Sequence, residues 1–125
     1  MRLSMNLLVK NESDIIGDNI RFHAAQGVDC FVVMDNGSTD GTREIVEKLK
    51  SEYEIHIIDR PVLDYQQSRW KTEMAHYSRR NLGAAWSIAN DADEFWVSDS
   101  GNIKSDLSWS GSVVYCKRVN MIPDC

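Results

Sequence analysis

The chain has 125 residues, a formal net charge of −5, 42% hydrophobic and 26% charged residues, which describes one ordinary globular domain over residues 1–125 with no room for a second. The acidic balance argues against a nucleic-acid backbone as partner, since that calls for a basic surface. No apolar run is long enough to span a bilayer and no signal-peptide pattern is visible, so the expected location is cytoplasmic, or peripheral at the cytoplasmic membrane face.

In chain order, Met5-Asn6-Leu7-Leu8-Val9 is a short, mostly apolar run whose length suits a buried strand, ending in Lys10-Asn11-Glu12. Ser13 is the expected N-cap of a helix, with Asp14 and Asp18 in its early turns where the helix dipole favours negative charge. Ile16, Ile20, His23 and Ala24 then share one helical face, and Gly27 closes the helix. On that face His23 reads as a packed, hydrogen-bonded histidine rather than a metal ligand.

Cys30-Phe31-Val32-Val33-Met34 is the clearest strand. Cys30, Cys116 and Cys125 form no Cys-x-x-Cys pair, so neither a zinc site nor a disulfide framework is expected, and Cys30 reads as a reduced core residue. The strand runs into Asp35-Asn36-Gly37-Ser38-Thr39-Asp40-Gly41-Thr42. Glycines there permit left-handed conformations, and Asp40 or Thr39 caps the helix that follows. That helix turns Ile45, Val46 and Leu49 inward and pairs Glu44 with Lys48 outside. No dinucleotide-binding fingerprint and no P-loop occurs.

Ile55-His56-Ile57-Ile58 is a third strand, halted by Asp59-Arg60-Pro61. A helix follows from about Tyr65 to Asn81, with Trp70, Met74 and Tyr77 on its core stripe and Arg69, Lys71, Arg79 and Arg80 on its solvated face. Gly83 ends it, and Trp86 to Ala89 reads as a short buried strand. A polar turn through residues 98–102, a helical turn near Ile103 to Leu107 and a last strand from about Ser112 to Val119 complete the chain.

Asn90-Asp91-Ala92-Asp93-Glu94-Phe95-Trp96 places three carboxylates within four residues at the end of that fourth strand. Two carboxylates about 4 Å apart repel by ~4 kcal/mol at an effective dielectric near ~20. A hard divalent cation relieves that repulsion, and Mg²⁺ or Mn²⁺ suits one or two carboxylates plus phosphate oxygens. An acidic turn that merely caps the next element is the competing explanation. Alternating strands and helices predict an α/β fold, Rossmann-like, with a mostly parallel sheet and helices on both faces. The ends of the first, second and fourth strands then share one rim, so Lys10-Asn11-Glu12, Asp35-Asn36 and Asp91-Ala92-Asp93 converge where open α/β sheets bind ligands.

With these residues in hand, the chain resembles the first half of a GT-A glycosyltransferase, close to family-two enzymes. The match runs through Leu8 to Glu12, Val32 to Thr42 and Asp91 to Phe95, roughly residues 5 to 97, and the Asn11-Glu12 start with the Asp-Ala-Asp-Glu-Phe motif resembles one subgroup. The resemblance implies a truncated GT-A domain that binds a nucleoside-diphosphate sugar, of UDP or GDP type, and transfers the sugar to an unknown acceptor. It implies a nucleotide site at Lys10, Asn11, Glu12, Asp35, Asn36, Asp91 and Ala92, and a Mn²⁺ or Mg²⁺ site at Asp91 and Asp93. Relatives often have two aspartates where this chain has Asp35 and Asn36, which leaves the base open. No residue matches the general base of an inverting enzyme, so the catalytic residue is unassigned, and the chain by itself is expected to bind nucleotide without transferring sugar. Two other readings compete with this one: a non-catalytic nucleotide-sugar-binding module, and a TOPRIM-like nucleic-acid enzyme using Glu12, Asp91 and Asp93.

Overall fold

The structure, a computed structural model, describes residues 2–62 and 66–107. The strand expected at 112–119 lies outside them. Four strands, β1 (Leu3–Val9), β2 (Cys30–Asp35), β3 (Glu54–Asp59) and β4 (Trp86–Asp91), alternate with α1 (Ile16–Ala25), α2 (Thr42–Leu49) and α3 (Gln67–Leu82), and α4 (Ile103–Leu107) follows β4. The sheet order is β3-β2-β1-β4 and every pairing is parallel.

The pleat sends alternate residues to opposite faces, and two helical layers follow from it. Leu3, Met5, Leu7 and Val9 of β1, with Phe31 and Val33 of β2, pack against Ile16, Ile20, Val46 and Leu49 of α1 and α2, and Ile103 and Leu107 of α4 join the same core. Leu8, Cys30, Val32 and Met34 point the other way and pack on Trp70, Met74 and Leu82 of α3. The central strands are buried on both faces. That is why β1 and β2 read as near-continuous apolar runs rather than alternating ones. Asn6, the polar residue inside β1, accepts hydrogen bonds from Ser4 and from Ser78 of α3, so its burial is compensated.

β1 also has neighbours on both sides, which decides where a ligand can sit. The chain steps outward from β1 to β2 to β3, then α3 carries it back across the sheet to β4 on the far side of β1. The order reverses at β1, and the carboxyl ends of the strands at such a switch point are where open α/β sheets bind ligands. Val9 is in register with Asp35, and Leu8 with both Met34 and Asp91. Lys10, Asn36 and Ala92 therefore leave the sheet along one rim.

Several local expectations are corrected. Among the described residues β4 is an edge strand of the sheet, and Ser87 and Ala89, which alternate to the same face, are exposed, so it is not the buried strand expected. Ser13 does not cap α1; the helix opens at Ile15 without a side-chain cap, and the Glu12 carbonyl accepts from Ile15 and Ile16 instead. On α2 the i,i+4 ion pair is Arg43 with Glu47, not Glu44 with Lys48, because Arg43 also faces Asp59 of β3 and is drawn to that side.

Candidate functional site

The loops after β1 and β2 are tied together by their own side chains. Asn11 adopts a left-handed backbone (φ 54°), which asparagine tolerates better than most residues. Its Oδ1 accepts from the Thr39 amide at 2.8 Å, while its own N–H donates to Ser38 Oγ at 2.9 Å. The Glu12 amide donates to Thr42 Oγ1 at 2.8 Å. Asp40 accepts from the amides of Thr42 and Ser13 and from the Thr42 hydroxyl, and these bonds, the Thr42 hydroxyl first, hold its carboxyl well below the usual range. The expected cap is thus Asp40, acting one residue ahead of Gly41, whose φ of 96° only glycine adopts easily. Lys10 is exposed at the strand end.

Asp35 and Asn36 are both buried to 5% exposure at the end of β2. Asp35 Oδ1 accepts from the Ser38 amide at 3.0 Å and its hydroxyl at 2.6 Å. Asn36 Nδ2 donates to the carbonyls of Arg60 (2.7 Å) and Val62 (3.1 Å). Both amide hydrogens of Asn36 are therefore committed to the β3–α3 connection, and its Oδ1 is what remains for a ligand. Sequence alone left open whether this amide would donate or accept. The same connection forms one wall of an open cleft of about 320 Å³ lined by Arg60, Val62, Gln66, Arg69, Trp70 and Glu73.

At the end of β4 the acidic residues part company. Asp93 is exposed, Asp91 is half-buried, and Ala92 is in the core with its carbonyl on Asn19. Glu94 turns inward: its Oε1 accepts from the Asp91 amide at 3.2 Å and its carbonyl from Asn90 Nδ2 at 2.9 Å. Burial raises the Glu12 carboxyl above its ordinary range, and the negative charges of Asp93, Asp14, Asp40 and Asp91 add to the shift. Glu12 thus feels both Asp91 and Asp93, and the first and fourth strand ends meet as their register requires. Among the described residues no group of three or more His, Cys, Asp or Glu is arranged to hold a metal by itself.

Two features escaped the sequence. Lys71, expected on the solvated face of α3, brings Nζ to 3.8 Å from Asp91 Oδ1 and places a cation on the acidic rim. Asn19 and His23 of α1, with Gln26 at its C-cap, hold the backbone beyond β4. Asn19 Nδ2 reaches the carbonyls of Ala92 and Glu94, His23 Nε2 accepts from the Trp96 amide at 2.9 Å, and Gln26 bonds the Trp96 carbonyl and the Ser98 amide. His23 is indeed a packed, hydrogen-bonded histidine; its partner could not be read from sequence because Trp96 is 73 residues away.

Burial lowers the His23 pKa from its ordinary 6.5. The unfolded chain then binds a proton on this residue at a pH where the folded chain does not, so stability is full above about 6.5 and declines as pH falls through the folded value. Urea unfolding between pH 8 and 5 should show this decline in the wild type and a shallower one in His23→Gln. Equal slopes in the two proteins would contradict the neutral, buried assignment.

With this geometry in view, the chain can be placed. Residues 7–100 match the model of glycosyl transferase family 2. The chain belongs to that family. The match spans all three loops of the rim, and it displaces the TOPRIM alternative. No curated protein matches the chain. As a family 2 glycosyl transferase domain, its four-stranded parallel sheet is the Rossmann-like part of a GT-A fold. No helix among the described residues is long and apolar enough to cross a membrane.

Proposed function

We propose that the rim at the ends of β1, β2 and β4 binds a nucleoside-diphosphate sugar through a divalent cation, for transfer of the sugar to an acceptor hydroxyl. The supporting observation is that Glu12, Asp91 and Asp93, which come from strands far apart in sequence, meet closely enough for their charges to resist one another. The oxygen donors of Asp91 and Asp93 fit Mg²⁺ or Mn²⁺, which would also take diphosphate oxygens as ligands. Bound there, the cation would supply Lewis-acid stabilisation of the departing nucleoside diphosphate. Lys71 adds a positive charge beside Asp91 and offers the same diphosphate a further contact.

In this reading the base lies at the Asp35–Asn36 end and the ribose near Lys10 to Glu12 and Asp91. Asn36 then presents only Oδ1 to the base, so it accepts. An acceptor selects a base edge carrying a ring N–H, as uracil and guanine do and cytosine and adenine do not. Titration of UDP, GDP, CDP and ADP with Mn²⁺ should therefore rank the first two above the others by roughly tenfold, one hydrogen bond gained against one lone-pair clash. Equal affinities across the four would contradict the assigned role of Asn36. Donor consumption measured with and without acceptor hydroxyls separates a transferase from a module that only binds.

A further inference from the structure

The stretch from Ala92 to Ser98 belongs to no helix or strand, yet it carries Asp93. Its backbone groups have left the sheet ladder and must find partners elsewhere. They find them on one side of α1. Asn19, His23 and Gln26 recur at i, i+4 and i+7, and all three are buried.

The connections form a chain. His23 Nε2 accepts from the Trp96 amide at 2.9 Å, so its proton sits on Nδ1. Nδ1–H in turn donates toward the Asn19 carbonyl at 2.8 Å and Asn19 Oδ1 at 3.0 Å. With its Oδ1 held by His23, the Asn19 amide is oriented so that Nδ2 faces the loop, donating to the carbonyls of Ala92 and Glu94, both at 2.8 Å. Asp93 lies between those two carbonyls, so its backbone is gripped on either side by one nitrogen. Gln26 holds the next two residues, donating to the Trp96 carbonyl and accepting from the Ser98 amide at 2.9 Å. Phe95 stacks on the His23 ring at a centroid distance of 5.8 Å and meets Phe22 edge-on at 5.2 Å.

We infer that Asn19, His23 and Gln26 are positioning residues that set the backbone of the Asp91–Asp93 turn for cation and diphosphate binding, an assignment that rests on the reading proposed above. None of the three reaches the ligand in this scheme. They act by fixing where Asp93 stands, as the outer partners of metal ligands do, and loss of such partners typically weakens metal affinity about 10- to 100-fold.

The test uses His23→Leu, His23→Gln and Gln26→Ala, each titrated with UDP plus Mn²⁺ and, separately, with uridine, which has no phosphate. His23→Leu and Gln26→Ala should lower UDP affinity about tenfold or more and leave uridine binding within about twofold. They should also speed amide exchange at Trp96 and Ser98 in the metal-free protein. His23→Gln keeps an acceptor for the Trp96 amide and should recover most of the UDP affinity. An equal fall for UDP and uridine would mark general damage to the fold and overturn the proposal, as would unchanged exchange at Trp96 and Ser98. If the wild type takes up no UDP with Mn²⁺, the nucleotide reading fails and the proposal falls with it. Wild-type binding alongside intact variant binding sinks the positioning role alone.

Discussion

Asp93→Ala is expected to lower UDP affinity in the presence of Mn²⁺ by about 100-fold, or ~2.7 kcal/mol, and to leave folding stability within about 0.5 kcal/mol. The two halves of that result have separate causes. Asp93 is exposed and makes no hydrogen bond or ion pair among the described residues, so its side chain contributes little to the fold. On the acidic rim, by contrast, it is the charge that adds most to the upward shift of Glu12 after burial itself. Removing it relieves repulsion in the free protein and withdraws a cation ligand from the complex, and both changes favour the free state over the loaded one. Calorimetry of UDP binding paired with urea unfolding measures the two together. Full affinity in Asp93→Ala would show that the phosphates are held without it.

Asp35→Ala should act at the other end of the nucleotide. Free uridine is expected to bind about tenfold more weakly or worse, the cost of one hydrogen bond to a charged group, whereas Asp93→Ala should leave uridine binding nearly unchanged. The division follows from the rim: Asp35 ends β2 and Asp93 lies beyond β4, with β1 between them. Asp35 also anchors its own loop through the Ser38 amide and hydroxyl. Ser38→Ala removes that hydroxyl contact and keeps the carboxylate, so it isolates the structural share of the loss. Uridine titrations of the three variants decide the matter. Equal weakening by Asp35→Ala and Asp93→Ala would contradict separate base and phosphate ends.

The strands were legible because their burial has a simple signature. Cys30 to Met34 is apolar throughout, and it is covered on both faces along its whole length. β1 is legible only from Met5, since Ser4 separates Leu3 from the apolar run; Ser78 of α3, the partner of Ser4 and Asn6, cannot be foreseen locally. The convergence of residues 10–12, 35–36 and 91–93 was legible because in a parallel sheet it depends only on element order. What Lys71 would meet was not, because helical periodicity sorts residues into inner and outer faces and says nothing about which strand end an outer residue overhangs. Lys71 meets Asp91 because α3 crosses back over the sheet to reach β4. Asn19 carried a faint signal, a polar residue four before His23 on the same helical side, but its partners at Ala92 and Glu94 are more than 70 residues away. Asn36 illustrates the opposite case: the residue stands out in the sequence, but that Arg60 and Val62 take its amide hydrogens is visible only in the fold.

On the proposed reading, an acidic rim on an acidic protein takes an anionic ligand through a cation. Calorimetric titration of the wild type with UDP, first with Mn²⁺ and then with excess EDTA, tests it most directly. A clear binding isotherm is expected with Mn²⁺ and its collapse in EDTA, because the negative charges of Glu12, Asp91 and Asp93 are then left to repel the diphosphate. Unchanged affinity in EDTA would contradict it.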